Sequence, residues 1–192
     1  MAPALLERGI AKRTTDYTPT RSDESLFEVI NKSIVELPNM SSYSNQLANS
    51  LLLFLFRCVD SKPTGTVLSE ALFSMPTTSD EGRQRRPDIA YISKERWPLK
   101  KRAPDTDPWP VVPNLAIEVL SPNDLIRNLN KKIAEYFQAG VELVWVIDPG
   151  EETVSVYTAP RQVEILSKAD TLSAGKVIPG FASPLKQLFK GA

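Results

Sequence analysis

The sequence contains no histidine and a single cysteine, Cys58. These absences exclude a Ser-His-Asp or Cys-His nucleophilic site. They also exclude a His-ligated zinc centre, a cysteine-rich zinc ribbon and an intrachain disulfide. Any acid–base or metal chemistry must therefore use Asp, Glu, Lys, Tyr and backbone groups. Because a lone cysteine is typical of proteins in a reducing compartment, we expect a cytoplasmic protein.

The sequence also lacks an excess of charge and a long apolar run. It has 23 Lys and Arg residues and 23 Asp and Glu residues, which excludes a wholly basic nucleic-acid coat. Any affinity for nucleic acid must come from uneven placement of charge. The most apolar run, residues 51–56, is far shorter than the roughly 20 residues of a membrane span. We therefore expect a buried helix there and no membrane segment.

Strand-like and helix-like patterns follow one another along the chain. Residues 1–22 have no clear period and predict an N-terminal arm, with a short helix as the alternative, whereas residues 23–192 predict a single domain. Residues 26–37 predict a β-hairpin that turns at Asn31 and Lys32, with one bent strand as the alternative. Further strands are predicted at residues 65–75, 87–93, 114–120, 143–148, 153–158 and 163–166, and loops at residues 77–86 and 94–113.

Two main helices separate these strands. Leucines at helical spacing predict a first helix over residues 41–59 that is buried on most sides. A second helix is predicted over residues 121–139, because Ser121-Pro122-Asn123-Asp124 forms a capping box and Gly140 supplies a left-handed terminator. Residues 184–189 predict a short final helix. Strands combined with two main helices predict an α/β (α+β) domain.

Glu118 is the most informative polar residue, because it lies in the otherwise apolar strand NLAIEVL. Side chains alternate along a strand, and both faces of this one are apolar, which is typical of a strand inside a sheet. An ionised carboxylate there costs several kcal/mol unless it is paired or bound to a metal. We interpret Glu118 as a functional residue. The alternative is a glutamate at a strand end that reaches solvent or an arginine.

Asp88 begins a predicted strand and follows a proline, which alone would indicate only a turn residue. A carboxylate at this strand start can face Glu118 on a neighbouring strand. Two crowded carboxylates repel each other unless a cation lies between them. Because the sequence has no histidine, Mg²⁺ or Mn²⁺ held by oxygen ligands is the simplest solution.

Lys131 and Lys132 differ in the direction that helix geometry gives them. At about 100° per residue, with Leu125 at 0°, Leu129 falls near 40° and Tyr136 near 20°. Lys132 falls at about −20°, inside this apolar stripe, whereas Lys131 falls at about −120°. We therefore predict that Lys132 points toward the sheet and Lys131 toward water. The alternative is that Lys132 extends from the edge of the stripe into solvent.

Four other acidic residues are further candidates for the site, and their sequence neighbours indicate different roles. Glu70 lies among apolar residues and could line the same site. Glu28 and Glu36 lie on the predicted hairpin and are interpreted as surface or rim groups. Asp148 precedes a proline at a strand end and is interpreted as a turn residue.

Positive charge is concentrated in residues 83–102, which carry eight Lys and Arg residues but only two acidic ones. This stretch includes Asp88, and a cationic rim beside a carboxylate pair suits a phosphodiester ligand. A solvated loop is the alternative. Trp97 and Trp109 nearby could stack on bases or simply hold the loop in place.

Several motifs together resemble a family of restriction-endonuclease-like proteins that is abundant in cyanobacteria and placed in the PD-(D/E)XK nuclease superfamily. The motifs, in chain order, are Pro87-Asp88, Glu118-Val119-Leu120-Ser121-Pro122, Lys132-x-x-x-Tyr136, Gly140-Val141 and Val144-Trp145-Val146-Ile147-Asp148-Pro149. Residues 27–30, Phe-Glu-Val-Ile, also look like the opening strand of the family. The resemblance covers residues 27–157.

The resemblance implies a restriction-endonuclease-like fold, in which helices flank a central mixed β-sheet, here with a hairpin at the N-terminal side. It also implies Mg²⁺-dependent hydrolysis of phosphodiester bonds, with Asp88 and Glu118 as metal ligands. In the resulting hypothesis of a DNA endonuclease, the Val119 carbonyl also binds the metal. Lys132 orients the attacking water or stabilises developing negative charge, and Glu70 completes the shell around the metal.

The sequence departs from the superfamily pattern at one place and from the family pattern at three. The superfamily expects a lysine where this chain has Leu120, and the matching basic residue is Lys132, as in the family. Ser44 stands where the family often has histidine, and Asn128 where it often has aspartate. Asn31-Lys32 stands where a glycine often follows the opening strand.

These departures motivate two further hypotheses. The protein could be a non-catalytic DNA-binding or assembly module that keeps the nuclease fold, or Glu118 and Lys132 could form an ion pair of purely structural value. We also expect a homodimer, because cutting both strands of DNA usually pairs two sites and two-fold assemblies are the commonest kind.

Overall fold

The computed structural model describes residues 25–122 and 126–190. The arm predicted for residues 1–22 lies outside the described residues, as do Asn123 and Asp124 of the predicted capping box. Among the described residues, no helix is long and apolar enough to cross a bilayer.

Runs of short strands are separated by helices along the described chain. The helices are α1 (Ser42–Ser61), α2 (Ile126–Ala139) and α3 (Leu185–Leu188). The strands are β1 (Phe27–Ile30), β2 (Ser33–Glu36), β3 (Gly65–Ser69), β4 (Phe73–Ser74), β5 (Gln84–Arg85), β6 (Ile89–Ser93), β7 (Leu115–Val119), β8 (Leu143–Asp148), β9 (Thr153–Ala159), β10 (Gln162–Leu166), β11 (Thr171–Ser173) and β12 (Ala182–Pro184).

The central sheet has six of the described strands, in the order β10-β9-β8-β7-β6-β3. Strands β7 and β8 run parallel, and the other neighbours in this sheet are antiparallel. The sheet is therefore mixed, and β7, which carries Glu118, lies in its interior between β6 and β8. This arrangement confirms the predicted fold class and the interior position of the strand NLAIEVL.

Each face of β7 packs against a different helix. Leu115 and Ile117 face the core formed by α1 and the C-terminal segment. Ala116 faces the second core, in which Ile133 and Tyr136 of α2 pack on the sheet. Because Glu118 alternates with Ile117 and lies two residues after Ala116, it belongs to the face covered by α2.

The N-terminal hairpin forms as predicted, with β1 and β2 antiparallel. Asn31 has a φ of 50° and Lys32 a φ of 61°. Two successive residues with positive φ make the type of two-residue turn whose twist matches that of the flanking strands.

Helix α1 forms as predicted, but the expectation that it is buried on most sides is wrong, because Leu53 is 54% and Phe56 56% exposed. The side chain of its N-cap residue, Ser41, accepts a hydrogen bond from the Ser44 backbone N–H at 3.1 Å. Leu47, Leu51 and Leu55 are buried against the sheet. Their burial supplies the stability that helix propensity alone does not.

The predicted strand over residues 65–75 is confirmed for residues 65–69 and wrong beyond them, because the chain leaves β3 at Glu70. Glu70 has a φ of 49°, a left-handed conformation that interrupts the regular strand. Phe73 and Ser74 instead form β4 in a second sheet with the order β2-β1-β5-β4. The predicted loop over residues 77–86 supplies β5 to this sheet, because its arginines are buried in ion pairs.

Helix α2 ends at Ala139 and is followed by Gly140 with a φ of 101°, as predicted. Its predicted start is wrong, because Ser121 and Pro122 are not helical. Pro122 lies in a turn after β7. A capping signal involves only neighbouring residues, so it does not show how long the connection from strand to helix must be.

Candidate active site

The register of three strands places three acidic residues next to one another. Ser69 pairs with Ile89, and Ile89 pairs with Ile117. One position beyond these pairs, Glu70 lies opposite Asp88, and Asp88 lies opposite Glu118. The Glu70 N–H donates to the Asp88 carbonyl at 3.0 Å, so the pairing continues to the site.

Asp88 is held by the backbone of β7. Its Oδ2 accepts a hydrogen bond from the Val119 N–H at 2.6 Å. Burial, together with the charge of Glu118, raises the pKa of Asp88 to about 7, although Lys132 and the Val119 N–H oppose the shift. A carboxylate with this pKa binds a proton or a cation readily near neutral pH.

Glu118 has a partner for each carboxylate oxygen. Its Oε2 accepts from Lys132 Nζ at 2.8 Å, and its Oε1 accepts from the Tyr136 hydroxyl. The side chain is 11% exposed. Burial raises the pKa of Glu118 even though the Lys132 ammonium lowers it. The nearest charges thus only partly offset the cost of burying this carboxylate.

Lys132 points into the protein, which confirms the predicted orientation. Its side chain is 15% exposed, whereas that of Lys131 is 62% exposed. Burial would lower the pKa of Lys132, but the neighbouring carboxylates, Glu118 first, raise it above the usual value. The side chain is therefore an ammonium group at neutral pH.

A cavity of about 340 Å³ opens at this end of the sheet. All the residues predicted for the site lie along it, namely Glu70, Asp88, Glu118, Val119 and Lys132. Arg86 also lines it, with its guanidinium hydrogen-bonded to the Phe27 and Glu70 carbonyls. The opposite wall is more apolar and includes Leu26, Leu37, Pro38 and Met40.

Glu28, interpreted from the sequence as a surface or rim group, is buried, so that interpretation is wrong. It is 2% exposed and binds both Lys132 and Arg85. These two cations lower its pKa, although burial alone would raise it. The sequence does contain a signal, because Glu28 lies between apolar residues in a strand just as Glu118 does.

The predicted cationic rim is only partly present, because the arginines of residues 83–102 bind within the protein. Arg83 and Arg85 are buried and bind Glu135. Arg96 donates to backbone carbonyls, including that of Gly140 at 2.9 Å. Lys94 follows the last residue of β6 and so lies roughly 20 Å along the strand from Asp88.

Trp109 and Trp97 hold the long loop in place. Trp109 is buried and stacks on Phe73, with ring centroids 6.1 Å apart. Trp97 meets Trp109 edge to face at 5.3 Å. Asp148, as predicted, is a turn residue, since its Oδ1 accepts from the Gly150 N–H at 2.9 Å.

Of the residues that depart from the family pattern, Ser44 is buried and Asn128 is exposed. Ser44 is buried, and its hydroxyl donates to the Leu120 carbonyl at 2.9 Å, which ties α1 to the end of β7. Asn128 is exposed on α2.

The residues at the cavity fit a divalent cation of the hard type. Among the described residues, no three acidic side chains converge tightly enough to form a metal-binding group. Mg²⁺, however, commonly takes only one or two carboxylates and keeps several waters. Asp88 and Glu118 supply two carboxylates, and each carboxylate oxygen can accept more than one contact. Burial is the main cause of the raised pKa of Asp88 and the charge of Glu118 adds to it, so a cation beside Asp88 would offset both.

The mixed central sheet between α1 and α2, with its acidic residues at the meeting point of β6 and β7, defines the class. It is the restriction-endonuclease-like fold of the PD-(D/E)XK superfamily. Residues 15–186 match the family model described as "Uma2: Putative restriction endonuclease", and the chain belongs to this family.

The structure is also similar to a crystal structure described as a putative nuclease belonging to DUF820 from Anabaena variabilis ATCC 29413. The two share 19% sequence identity with a TM-score of 0.70, over 85% of this chain and 89% of the other. At this identity the likeness supports the fold. A comparison with curated proteins found no match.

Proposed function

We propose that the protein is a metal-dependent endonuclease that hydrolyses phosphodiester bonds of DNA. The observation that carries this proposal is the convergence of Asp88, Glu118 and Lys132 at one cavity. The family to which the chain belongs, described as "Putative restriction endonuclease", supports the reaction class. We further propose a cytoplasmic homodimer, since two copies would present two cutting sites.

Asp88, Glu118 and the Val119 carbonyl would hold Mg²⁺ or Mn²⁺. Such an ion supplies polarisation of the phosphate and a lower pKa of the attacking water. The Val119 N–H holds the Asp88 carboxylate in place, and the Tyr136 hydroxyl does the same for Glu118. Both carboxylates are thus oriented before a metal or substrate arrives.

Lys132 would supply positive charge where negative charge develops on the phosphate. Its ammonium lies 2.8 Å from Glu118 and lines the same cavity as Asp88. A preorganised cation in a site closed to water stabilises a transition state more than it would in bulk solvent. Glu70, at the cavity rim, would complete the shell around the metal through water.

The test is cleavage of supercoiled and single-stranded DNA in the presence of Mg²⁺ or Mn²⁺. Glu118→Gln keeps the shape of the side chain but removes the charge, and we expect it to lower the rate by at least about 10²-fold. The matched control is Glu142→Gln, at the opposite end of β8, where Glu142 binds Arg96 at 2.9 Å. Equal rates for wild type and Glu118→Gln would reject the proposal.

A non-catalytic DNA-binding or assembly module is the second candidate. It is favoured by the two partners of Glu118, because Lys132 and Tyr136 already engage both carboxylate oxygens. Isothermal titration with Mg²⁺ and Mn²⁺ separates the two candidates. No binding at millimolar metal, together with retained DNA affinity, would favour the module.

A purely structural ion pair between Glu118 and Lys132 predicts an effect on stability and none on DNA. In a double-mutant cycle, the two side chains would couple in the free energy of unfolding while DNA affinity and cleavage stayed unchanged.

A further inference from the structure

Glu28 connects the N-terminal hairpin to the candidate active site. Its Oε1 lies 3.1 Å from Lys132 Nζ and accepts a hydrogen bond from the Arg86 N–H at 3.0 Å. Its Oε2 binds the Arg85 guanidinium. Glu28 is not among the described residues that line the cavity. Glu28 would therefore influence bound substrate through its partners, of which Lys132 and Arg86 line the cavity.

Buried ion pairs on the side away from the cavity hold Glu28 in place. Arg85 binds Glu135 of α2 as well as Glu28, with Nε 3.0 Å from Glu135 Oε2. Arg83 Nη1 lies 2.5 Å from the other oxygen of Glu135. Because all these side chains are buried, water cannot readily replace one contact with another. The approach of Glu28 to Lys132 is therefore fixed by residues of β1, β5 and α2.

A lysine ammonium needs more than one contact to hold a position. Its stem is flexible, and its three N–H donors rotate freely. Lys132 Nζ lies 2.8 Å from Glu118 Oε2 and 3.1 Å from Glu28 Oε1. Two carboxylates from different strands can fix the nitrogen in space, whereas Glu118 alone would leave it free to swing about a single contact.

We propose that Glu28 is a positioning residue, which holds the Lys132 ammonium against Glu118 so that its remaining N–H is available to a phosphate oxygen in the cavity. This inference rests on the proposed nuclease function. Its physical basis is that small misplacements of a catalytic group cost large factors in rate. Glu28 would therefore affect turnover without touching the substrate.

The first experiment measures hydrolysis of bis(p-nitrophenyl) phosphate with Mn²⁺. In both Glu28→Gln and Glu28→Asp we expect kcat to fall by about 10²-fold while KM stays unchanged. Glu142→Gln, the control that loses a carboxylate charge away from the site, should keep the wild-type kcat. In a Lys132→Met background, Glu28→Gln should lower kcat no further, because the group it positions is gone.

A second readout does not depend on activity. Nitrogen-15 NMR observes lysine ammonium groups that exchange slowly, and a Lys132→Arg variant assigns the Lys132 signal by its loss. We expect this signal to shift and to exchange faster with water in both Glu28 variants. It should be unchanged in Glu142→Gln. If wild type shows no hydrolysis with either metal, the proposed function fails, and this signal alone decides whether Glu28 positions Lys132.

Three results would overturn the inference. They are a folded Glu28→Gln variant with an unchanged ammonium signal, a wild-type kcat in that variant, and an equal loss of kcat in the Lys132→Met background. Glu28→Gln removes a buried negative charge beside Arg85 and could fail to fold. Glu28→Asp keeps the charge and shortens the side chain by one methylene, so it serves for the same readouts. Failure of both variants to fold would assign Glu28 a structural role instead.

Discussion

At the scale of single residues, the site is defined by buried negative charge that its own cations do not fully neutralise. Asp88 and Glu118 both have raised pKa values, chiefly because of burial. Glu28, in contrast, has a lowered pKa because Lys132 and Arg85 bind it directly. The carboxylates whose burial is poorly compensated therefore lie at the cavity, whereas the compensated carboxylate of Glu28 lies behind it. A bound cation would lower the free-energy cost of keeping the Asp88 and Glu118 carboxylates ionised.

The raised pKa of Asp88 predicts how stability depends on pH. Its pKa is about 7 in the folded protein and about 3.9 in an unfolded chain. The folded state therefore binds the proton more tightly, and its stability falls as the pH rises between these values. With metal removed by a chelator, we expect the Tm of wild type to fall more between pH 5 and pH 8 than that of Asp88→Asn.

The control for this measurement is Asp170→Asn. Asp170 has a lowered pKa because the Ser167 backbone N–H and hydroxyl bind it. Asp170 is therefore already ionised throughout the range from pH 5 to pH 8. The Tm of this variant should fall with pH as steeply as that of wild type. Parallel profiles for wild type and Asp88→Asn would contradict the assignment of the raised pKa to Asp88.

At the scale of elements, ion pairs fasten the small sheet to α2. Glu28 comes from β1 and Arg85 from β5, and both bind side chains of α2. Removing one partner from a buried pair typically costs about 3–5 kcal/mol, because the other charge stays buried without compensation. The hairpin and α2 are therefore coupled, although they are almost one hundred residues apart in the sequence.

The pairing of β3 with β6 depends on a close approach at Gly65. A Cβ at this position would lie 2.2 Å from the Ile92 carbonyl oxygen and 2.6 Å from the Tyr91 ring. We expect Gly65→Ala to lower the free energy of unfolding by about 1–3 kcal/mol, because backbone and ring must both move. Urea denaturation measures this loss.

Gly82→Ala is the matched control. Its nearest neighbour atom lies 3.9 Å from the position of the added Cβ, and its φ is not positive. This substitution should leave the free energy of unfolding nearly unchanged. Equal effects at the two glycines would show that β3 and β6 do not approach each other as described.

At the scale of the whole molecule, the order of the strands assembles the site. Strands β3, β6 and β7 are neighbours in the sheet, but long connections separate β3 from β6 and β6 from β7 in the chain. An acidic residue lies at the same edge of each strand, with Glu70 directly after β3, Asp88 directly before β6 and Glu118 one residue before the end of β7. Helix α2 covers that face and adds Lys132 and Tyr136. The site therefore exists only in the folded protein.

Binding of a divalent metal should consequently stabilise the whole fold. We expect millimolar Mn²⁺ to raise the Tm of wild type, since a ligand at 100 times its Kd adds about 2.7 kcal/mol. Glu118→Gln should show a much smaller rise, and Glu142→Gln should match wild type. An unchanged wild-type Tm would argue against a metal site and favour the non-catalytic module.

Much of the candidate site could be predicted from local patterns. The pattern indicates Glu118, because a carboxylate in an apolar strand is costly, and Lys132, because it lies in the apolar stripe of a helix. It does not indicate Glu28, since a residue on a hairpin normally has one face in water. Nor does it indicate the ion pairs of Arg83 and Arg85, because nothing local shows that their partners are buried.

By itself, the sequence determined the hairpin turn, the two main helices and the inward direction of Lys132, because these depend on residues only a few positions apart. Only the tertiary structure decided that Glu28 meets Lys132 and that Arg85 joins Glu28 to Glu135. The physical reason is that these charges come from separate segments. Which of them meet depends on the order of strands in a second sheet, and that order follows from packing rather than from periodicity.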